Sequence, residues 1–350
     1  MSNPPPQAPS KGSEKADIAV IGAGPVGLFA VFQCGMLELR CSVIDALEGV
    51  GGQCSALYPE KPIYDIPGFP QIPASGLIEN LERQAAPFDP VYHLNQQVTS
   101  LTALDGGRWL LETSAGTRID AGAVLIAAGV GAFGPNRPPL DGLESFEGTS
   151  VFYLVNKRED FRGKNVVIAG GGDSAVDWAL SLVDIAASIK VVHRRPKFRA
   201  APESARRLQE LADAGTLELV IPFQLDSLEG KDGKLEAVGV RDLDGTQRKL
   251  EADVLLPFFG LSQNLGPVAE WGLDLDKNHI VVDAATMAAS RPGLYAIGDI
   301  AAYPGKLKLI LTGFAEAALA AHSARAHIHP GEVYHFEYST THGVPEKNDS

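Results

Sequence analysis

Two copies of one pattern, a short apolar strand running into a glycine-rich turn, a helix and a second strand, predict an α/β protein. Its architecture is expected to be two Rossmann-like dinucleotide-binding domains, the second inserted in the first. A late apolar strand ending on a Gly-Asp pair marks the return to the first domain.

The first strand is DIAVI at 17–21, an unbroken apolar run suited to burial on both faces of a sheet. Gly22-Ala23-Gly24-Pro25-Val26-Gly27 follows, then the helical stretch LFAVFQCGML and the strand CSVIDA ending on Asp45. Each glycine has a mechanical task. Gly22 permits the tight turn, Gly24 lets backbone approach a pyrophosphate, and Gly27 lets the helix pack closely on the strand. Free N–H groups and a partial positive charge at the helix start then face the phosphates. Asp45, 23 residues after Gly22, is placed to accept from ribose hydroxyls.

The second copy begins at Lys164. The strand NVVIAG leads into Gly170-Gly171-Gly172-Asp173-Ser174-Ala175, then the helix VDWALSLVDIA and the strand IKVVH. That strand ends on His193-Arg194-Arg195 rather than on an acid. A carboxylate there would repel a 2′-phosphate, whereas guanidinium groups bind it bidentately, and Arg199 can close the same site. The second domain is therefore expected to take NADPH, with His193 counted in the phosphate cluster.

Segment 123–136 reads as an apolar strand with a glycine-rich exit and 252–264 as an apolar strand followed by Gly260 and polar residues, both places where the chain passes between domains. Gly298-Asp299 closes the late strand, and a long apolar helix follows from about 312 to 326. The expected division is a disordered lead-in at 1–15, a first domain at 16–130 plus 265–335, an inserted domain at 131–264, and an extension at 336–350.

Composition sets limits. The 350 residues suit two domains, and 45% hydrophobic with 21% charged residues is a globular balance. A net charge of −13 argues against general nucleic-acid binding. No run approaches the ~18 apolar residues that cross a bilayer, so no membrane association is expected. Cys34, Cys41 and Cys54 form no CxxC, which fits a reducing cytoplasm and excludes a structural zinc site. Five of the eight histidines fall after residue 320, His327 and His329 among them, and read as a polar C-terminal region rather than a metal site.

From residue 16 onward these motifs resemble the two-dinucleotide flavoproteins, and more narrowly their thioredoxin-reductase-like branch. The resemblance implies FAD in the first domain, contacted by Gly22, Gly24, Pro25, Gly27, Asp45, Gly298 and Asp299, and NADPH in the second. Thioredoxin reductases of this shape carry a redox CxxC just ahead of the second fingerprint. Here that stretch is VFYLVNKR (151–158), without a thiol, so disulfide exchange is not expected.

GGQCSALYPEKPIYDIPGFP (51–70) and the tail VYHFEYSTTHGVP (333–345) are similar instead to the thioredoxin-reductase-like ferredoxin–NADP⁺ reductases. That resemblance implies FAD contacts from Gly52 and Gln53, with Tyr58 stacked on one face of the flavin. It implies Tyr338 on the other face, supplied by the partner subunit of a homodimer, with Ser339 and Thr340 near the reactive edge. An aromatic face packs on the ring and shields it from solvent and oxygen.

The activity so implied is hydride exchange between NADPH and FAD and one-electron exchange with a [2Fe–2S] ferredoxin or a flavodoxin. No residue is assigned as a catalytic acid or base. Lys157, Arg158, Arg162 and Lys164 are candidates for docking an acidic carrier. Two other readings stay open: an NADPH-dependent reductase of quinones or other small acceptors, and a flavin- or nucleotide-binding sensor without turnover.

Overall fold

The computed structural model describes residues 12–155, 157–332 and 343, and the side chains of 132–135 and 261–263 are not considered. In chain order the main elements are β1 (Glu14–Ile21), α1 (Pro25–Met36), β2 (Cys41–Ile44), α2 (Ala74–Ala85), β3 (Val91–His93), β4 (Val98–Ala103), β5 (Trp109–Thr113) and β6 (Arg118–Ile126). There follow β7 (Asn165–Ala169), α3 (Asp173–Leu182), β8 (Ser188–Val192), α4 (Pro202–Asp213) and β9 (Glu218–Val220). Then come β10 (Gln224–Lys231), β11 (Lys234–Arg241), β12 (Gln247–Glu251), β13 (Val254–Pro257), β14 (Leu294–Ala296) and α5 (Ile310–Ile328).

Phe133–Ser262 forms one compact unit, and the chain on either side of it forms the other. The flanking unit holds a seven-stranded sheet in the order β3-β2-β1-β6-β5-β4, with β14 paired to the far half of β6. β1 is parallel to both β2 and β6. Ile18, Ala19 and Val20 on β1 and Val124, Leu125 and Ile126 on β6 are fully buried, as continuous apolar strands covered on both faces must be. Each such aliphatic side chain withdrawn from water is worth roughly 1.5–3 kcal/mol. α1 is apolar all round because it packs on α2 as well as α5.

The sheet is not parallel throughout. β4, β5 and β6 form an antiparallel meander, because their links are too short for a parallel crossover.

The inserted unit carries a four-stranded parallel sheet, β9-β8-β7-β13. A three-stranded antiparallel sheet, β10-β11-β12, belongs to the same unit. β10 and β11 are joined by Asp232 and Gly233, with φ of +54° and +76°. Positive φ at both loop positions is the turn that matches strand twist.

Candidate functional site

In the flanking unit the glycine turn after β1 is held from several sides. Gly22 has φ of +108°, and a Cβ there would meet the Ala127 carbonyl oxygen at 2.4 Å. A Cβ on Gly27 would stand 1.9 Å from the Gly22 oxygen, so helix and turn close on each other only with glycine. Gly24 differs: it caps α1 with an ordinary φ of −68°, and a Cβ there would meet nothing within 4 Å. Gly24 is thus needed neither by the backbone angle nor by the surrounding protein. The open space lies at the first turn of α1, where Pro25 takes the position that needs no N–H and the remaining N–H groups have no intrahelical acceptor.

Asp45 follows β2 directly, beneath this turn. It is buried, with Oδ2 accepting the Ala23 N–H at 2.6 Å and Oδ1 the Leu47 N–H at 2.8 Å. Burial pushes its carboxyl up, and the two backbone bonds oppose that rise. Each oxygen keeps a second lone pair that a hydroxyl can use. The glycine turn is also tied to the next segment, because Gly51 N–H donates to the Ala23 carbonyl at 2.7 Å. A Cβ on Gly52 would lie 3.1 Å from Gly24 Cα, and one on Gly129 would lie 3.5 Å from Gln53 Nε2. Gly24, Gly52, Gln53 and Gly129 therefore converge on one place.

Tyr58 follows the short helix Gln53–Ala56 and is half-buried, packed against the core cluster that contains Leu28, Cys54, Ile72 and Leu77. Its hydroxyl takes the Cys54 thiol at 3.9 Å, and the Lys61 ammonium stands 5.8 Å from its ring centroid. Burial pushes the Tyr58 phenol far up and the Cys54 thiol up to about 11, with the Asp299 carboxylate acting in the same direction on both. Asp299 is half-buried, so the late Gly-Asp pair reaches the electrostatic neighbourhood of Tyr58.

In the inserted unit the second glycine turn repeats the arrangement. A Cβ on Gly170 would meet the Phe258 oxygen at 2.6 Å, whereas Gly172, the cap of α3, has φ of −98° and open space. The loop after β8 is pinned to this turn: Arg199 N–H donates to the Gly171 oxygen at 2.6 Å, and Asp173 Oδ1 accepts the Ala201 N–H at 2.8 Å. Ser174 is exposed and Ala175 buried at the start of α3. Arg194, Arg195 and Arg199 are exposed, with no carboxylate partner among the described residues.

His193 is placed unlike the arginines. It is 8% exposed, its ring is stacked on Phe198 at 5.2 Å, and a Cβ on Gly171 would fall 2.1 Å from its Cε1. Burial lowers its pKa, and Arg199, Arg194 and Arg195 lower it further. The ring fills the space between glycine turn and arginine loop as a neutral imidazole, not as a fourth cation.

The family model described as pyridine nucleotide-disulphide oxidoreductase matches residues 16–324. The chain belongs to this oxidoreductase family. A curated relative from Paramagnetospirillum magneticum named ferredoxin–NADP reductase is 67% identical over 95% of this chain and 98% of its own. One of the same name from Rhodospirillum rubrum is 66% identical over 95% and 97%. Among solved structures, T. acidophilum thioredoxin reductase matches with a TM-score of 0.78 at 23% identity, covering 90% of this chain and 99% of its own. Lactococcus lactis thioredoxin reductase gives 0.76 at 23%, covering 89% and 99%. These two likenesses concern the fold.

Membership of the oxidoreductase family fits the residues present. The open spaces at Gly24 and Gly172 are cradles that an added Cβ would fill, each at a helix start suited to phosphate. The disulphide part of the family name finds no counterpart here. Cys34, Cys41 and Cys54 are all buried and free. Cys34 and Cys41 sit next to each other in the core, where the Cys34 thiol and then burial hold Cys41 well above the ordinary range.

Tyr338, Ser339 and Thr340 lie outside the described residues. The docking candidates are less basic than their sequence suggests. Arg158 pairs with Asp184 at 2.5 Å and Arg162 with Glu159 at 2.7 Å, which leaves Lys157 and Lys164. The histidines near the end belong largely to α5 and its cap, where His327 Nε2 lies 3.3 Å from the Gly107 oxygen. No group of metal ligands occurs among the described residues, and no helix there is long and apolar enough to cross a membrane.

A buried cluster behind Gly298 escaped the sequence reading. Glu316 of α5 accepts the Gly298 N–H at 2.7 Å and the Tyr303 hydroxyl at 2.6 Å, and pairs with the Lys306 ammonium. The available signal was a single acid inside an otherwise apolar helix, GFAEAALAA.

Proposed function

We propose that this protein is a ferredoxin–NADP reductase that holds FAD in the flanking unit and NADPH in the inserted one. The observation that carries the proposal is the pair of open cradles at Gly24 and Gly172, with exposed arginines that have no carboxylate partner among the described residues beside the second. Two dinucleotides of different kind suit such a pair. The relatives that share about two-thirds of the sequence bear that name.

FAD held there would supply the redox chemistry, hydride exchange with NADPH and one-electron exchange with an iron–sulfur carrier. The chain's own residues bind and orient. Val26 and Gly27 offer backbone N–H groups to pyrophosphate, Asp45 accepts ribose hydroxyls, and Gly52 and Gln53 line the approach. Asp299 accepts from ribityl hydroxyls. The Tyr58 ring covers one flavin face and excludes water from it, and its phenol holds its proton throughout the working range. Arg194, Arg195 and Arg199 bind the 2′-phosphate and set the preference for NADPH over NADH. His193 braces the loop that carries them. In a homodimer, Tyr338 of one copy covers the other flavin face of the second, with Ser339 and Thr340 beside it. The carrier is an acidic ferredoxin or a flavodoxin, engaged transiently, and the setting is the cytoplasm.

The deciding assay is NADPH-dependent cytochrome c reduction with and without added ferredoxin, at equal enzyme. A large ferredoxin-dependent gain is expected. Rapid flavin bleaching by NADPH without that gain would move the acceptor to quinones or another small molecule. Absence of bleaching would leave a nucleotide-binding protein without turnover.

A further inference from the structure

Glu316 is 2% exposed and Lys306 7%, which makes theirs an ion pair removed from water. Such a pair loses most of its Coulomb gain to desolvation, so stability alone is a weak account of it. Its three partners tell more. Gly298 N–H, Tyr303 hydroxyl and Lys306 ammonium all come from the stretch between β14 and α5, and all converge on one side chain. That stretch contains Asp299.

The same place presses on the start of α1. Gly298 has φ of +74°, and a Cβ there would lie 3.5 Å from Val26 Cγ2. Gly313 on α5 leaves still less room, with Val26 Cγ2 2.3 Å from its would-be Cβ. Val26 is the second residue of α1, directly after Pro25 and the open cradle at Gly24. One contact therefore joins the Asp299 turn to the phosphate turn, and Glu316 fixes its near side.

We infer that Glu316, with Lys306 as its counter-charge, is a positioning residue for the flavin dinucleotide: it sets the Gly298-Asp299 turn against the first turn of α1 so that both engage one bound molecule. The inference rests on the reading of the flanking unit as the FAD site. Glutamine at 316 keeps the size and one acceptor but leaves the Lys306 ammonium buried without a counter-ion. Phenylalanine at 303 removes a single donor and leaves the ion pair whole.

The test compares wild type, Glu316→Gln and Tyr303→Phe as purified flavoproteins. Free-flavin fluorescence on dilution gives the FAD dissociation constant, and the visible flavin band and the thermal midpoint at saturating FAD are recorded in parallel. Glu316→Gln is expected to raise the FAD dissociation constant roughly tenfold or more and to shift the visible band. Tyr303→Phe is expected to change both in the same direction by less, and it serves if Glu316→Gln does not fold. Unchanged FAD affinity and spectrum in the variants, with only the midpoint lowered, would overturn the inference and leave a structural ion pair. A wild-type protein that takes up no FAD would instead overturn the reading of the site itself.

Discussion

Asp45 and His193 occupy equivalent places, each just after the second strand of its glycine fingerprint, yet the protein uses them differently. Asp45 gives both carboxylate oxygens to backbone N–H groups and so moors the turn it follows. His193 is buried, held neutral, and packed where Gly171 has no side chain. The identity of both residues at a strand end was legible in the sequence. Their burial was not, because it depends on the loops that return over them from residues 47 and 199. Charge at the second turn therefore belongs to the arginines. Replacing Arg194 and Arg195 together by glutamine is expected to raise KM for NADPH roughly 10- to 100-fold, with kcat little changed and NADH kinetics unaffected. Steady-state rates with the two coenzymes check this; an equal loss for both would move the 2′-phosphate elsewhere.

At the scale of elements, the two fingerprints separate glycines that the fold needs from glycines that only a ligand needs. Gly24→Ala adds a methyl into open space at an ordinary backbone angle. It is expected to leave the fold's urea midpoint unchanged while weakening FAD retention, measured as flavin content after gel filtration. Gly27→Ala, facing a backbone oxygen at 1.9 Å, is expected to lower the midpoint as well. Gly172→Ala should raise KM for NADPH with FAD content intact, and normal coenzyme kinetics in that variant would empty the second cradle of meaning. The parallel strands were legible because burial on both faces forces continuous apolar runs. The antiparallel sheet β10-β11-β12 was not legible, although Asp232-Gly233 and Asp244-Gly245 punctuate it, because its outer strands β10 and β12 are largely exposed and polar and only β11 alternates. α5 runs Ile310–Ile328, longer at both ends than its apolar core suggested, since polar and apolar residues alike continue a helix until its cap.

The molecule as a whole carries an alkaline limit. Burial holds Cys54 up at about 11 and both Tyr92 and Tyr295 at about 12. Unfolded, these groups titrate near about 8.5 and about 10. The folded protein thus keeps protons that the unfolded chain releases, and stability falls as pH rises. Urea midpoints are expected to be level from pH 7 to 8 and to drop between pH 9 and 11; a midpoint that rises there would contradict the burial of these groups. A second whole-molecule prediction concerns the tail. Ending the chain after Gly331 removes Tyr338, Ser339 and Thr340, and is expected to alter NADPH-driven turnover; unchanged kcat and KM would exclude the tail from the mechanism.

The insertion also fixes an order for biosynthesis. Emerging from the ribosome, the chain has every strand and helix of the inserted unit by residue 262. The flanking unit, begun first, still lacks β14 beside β6 and α5 beside α1. The interrupted unit must therefore wait, its central strand β6 half uncovered, until the last part of translation. A released chain that ends near residue 270 should resist protease over 133–262 while 16–126 is still cut.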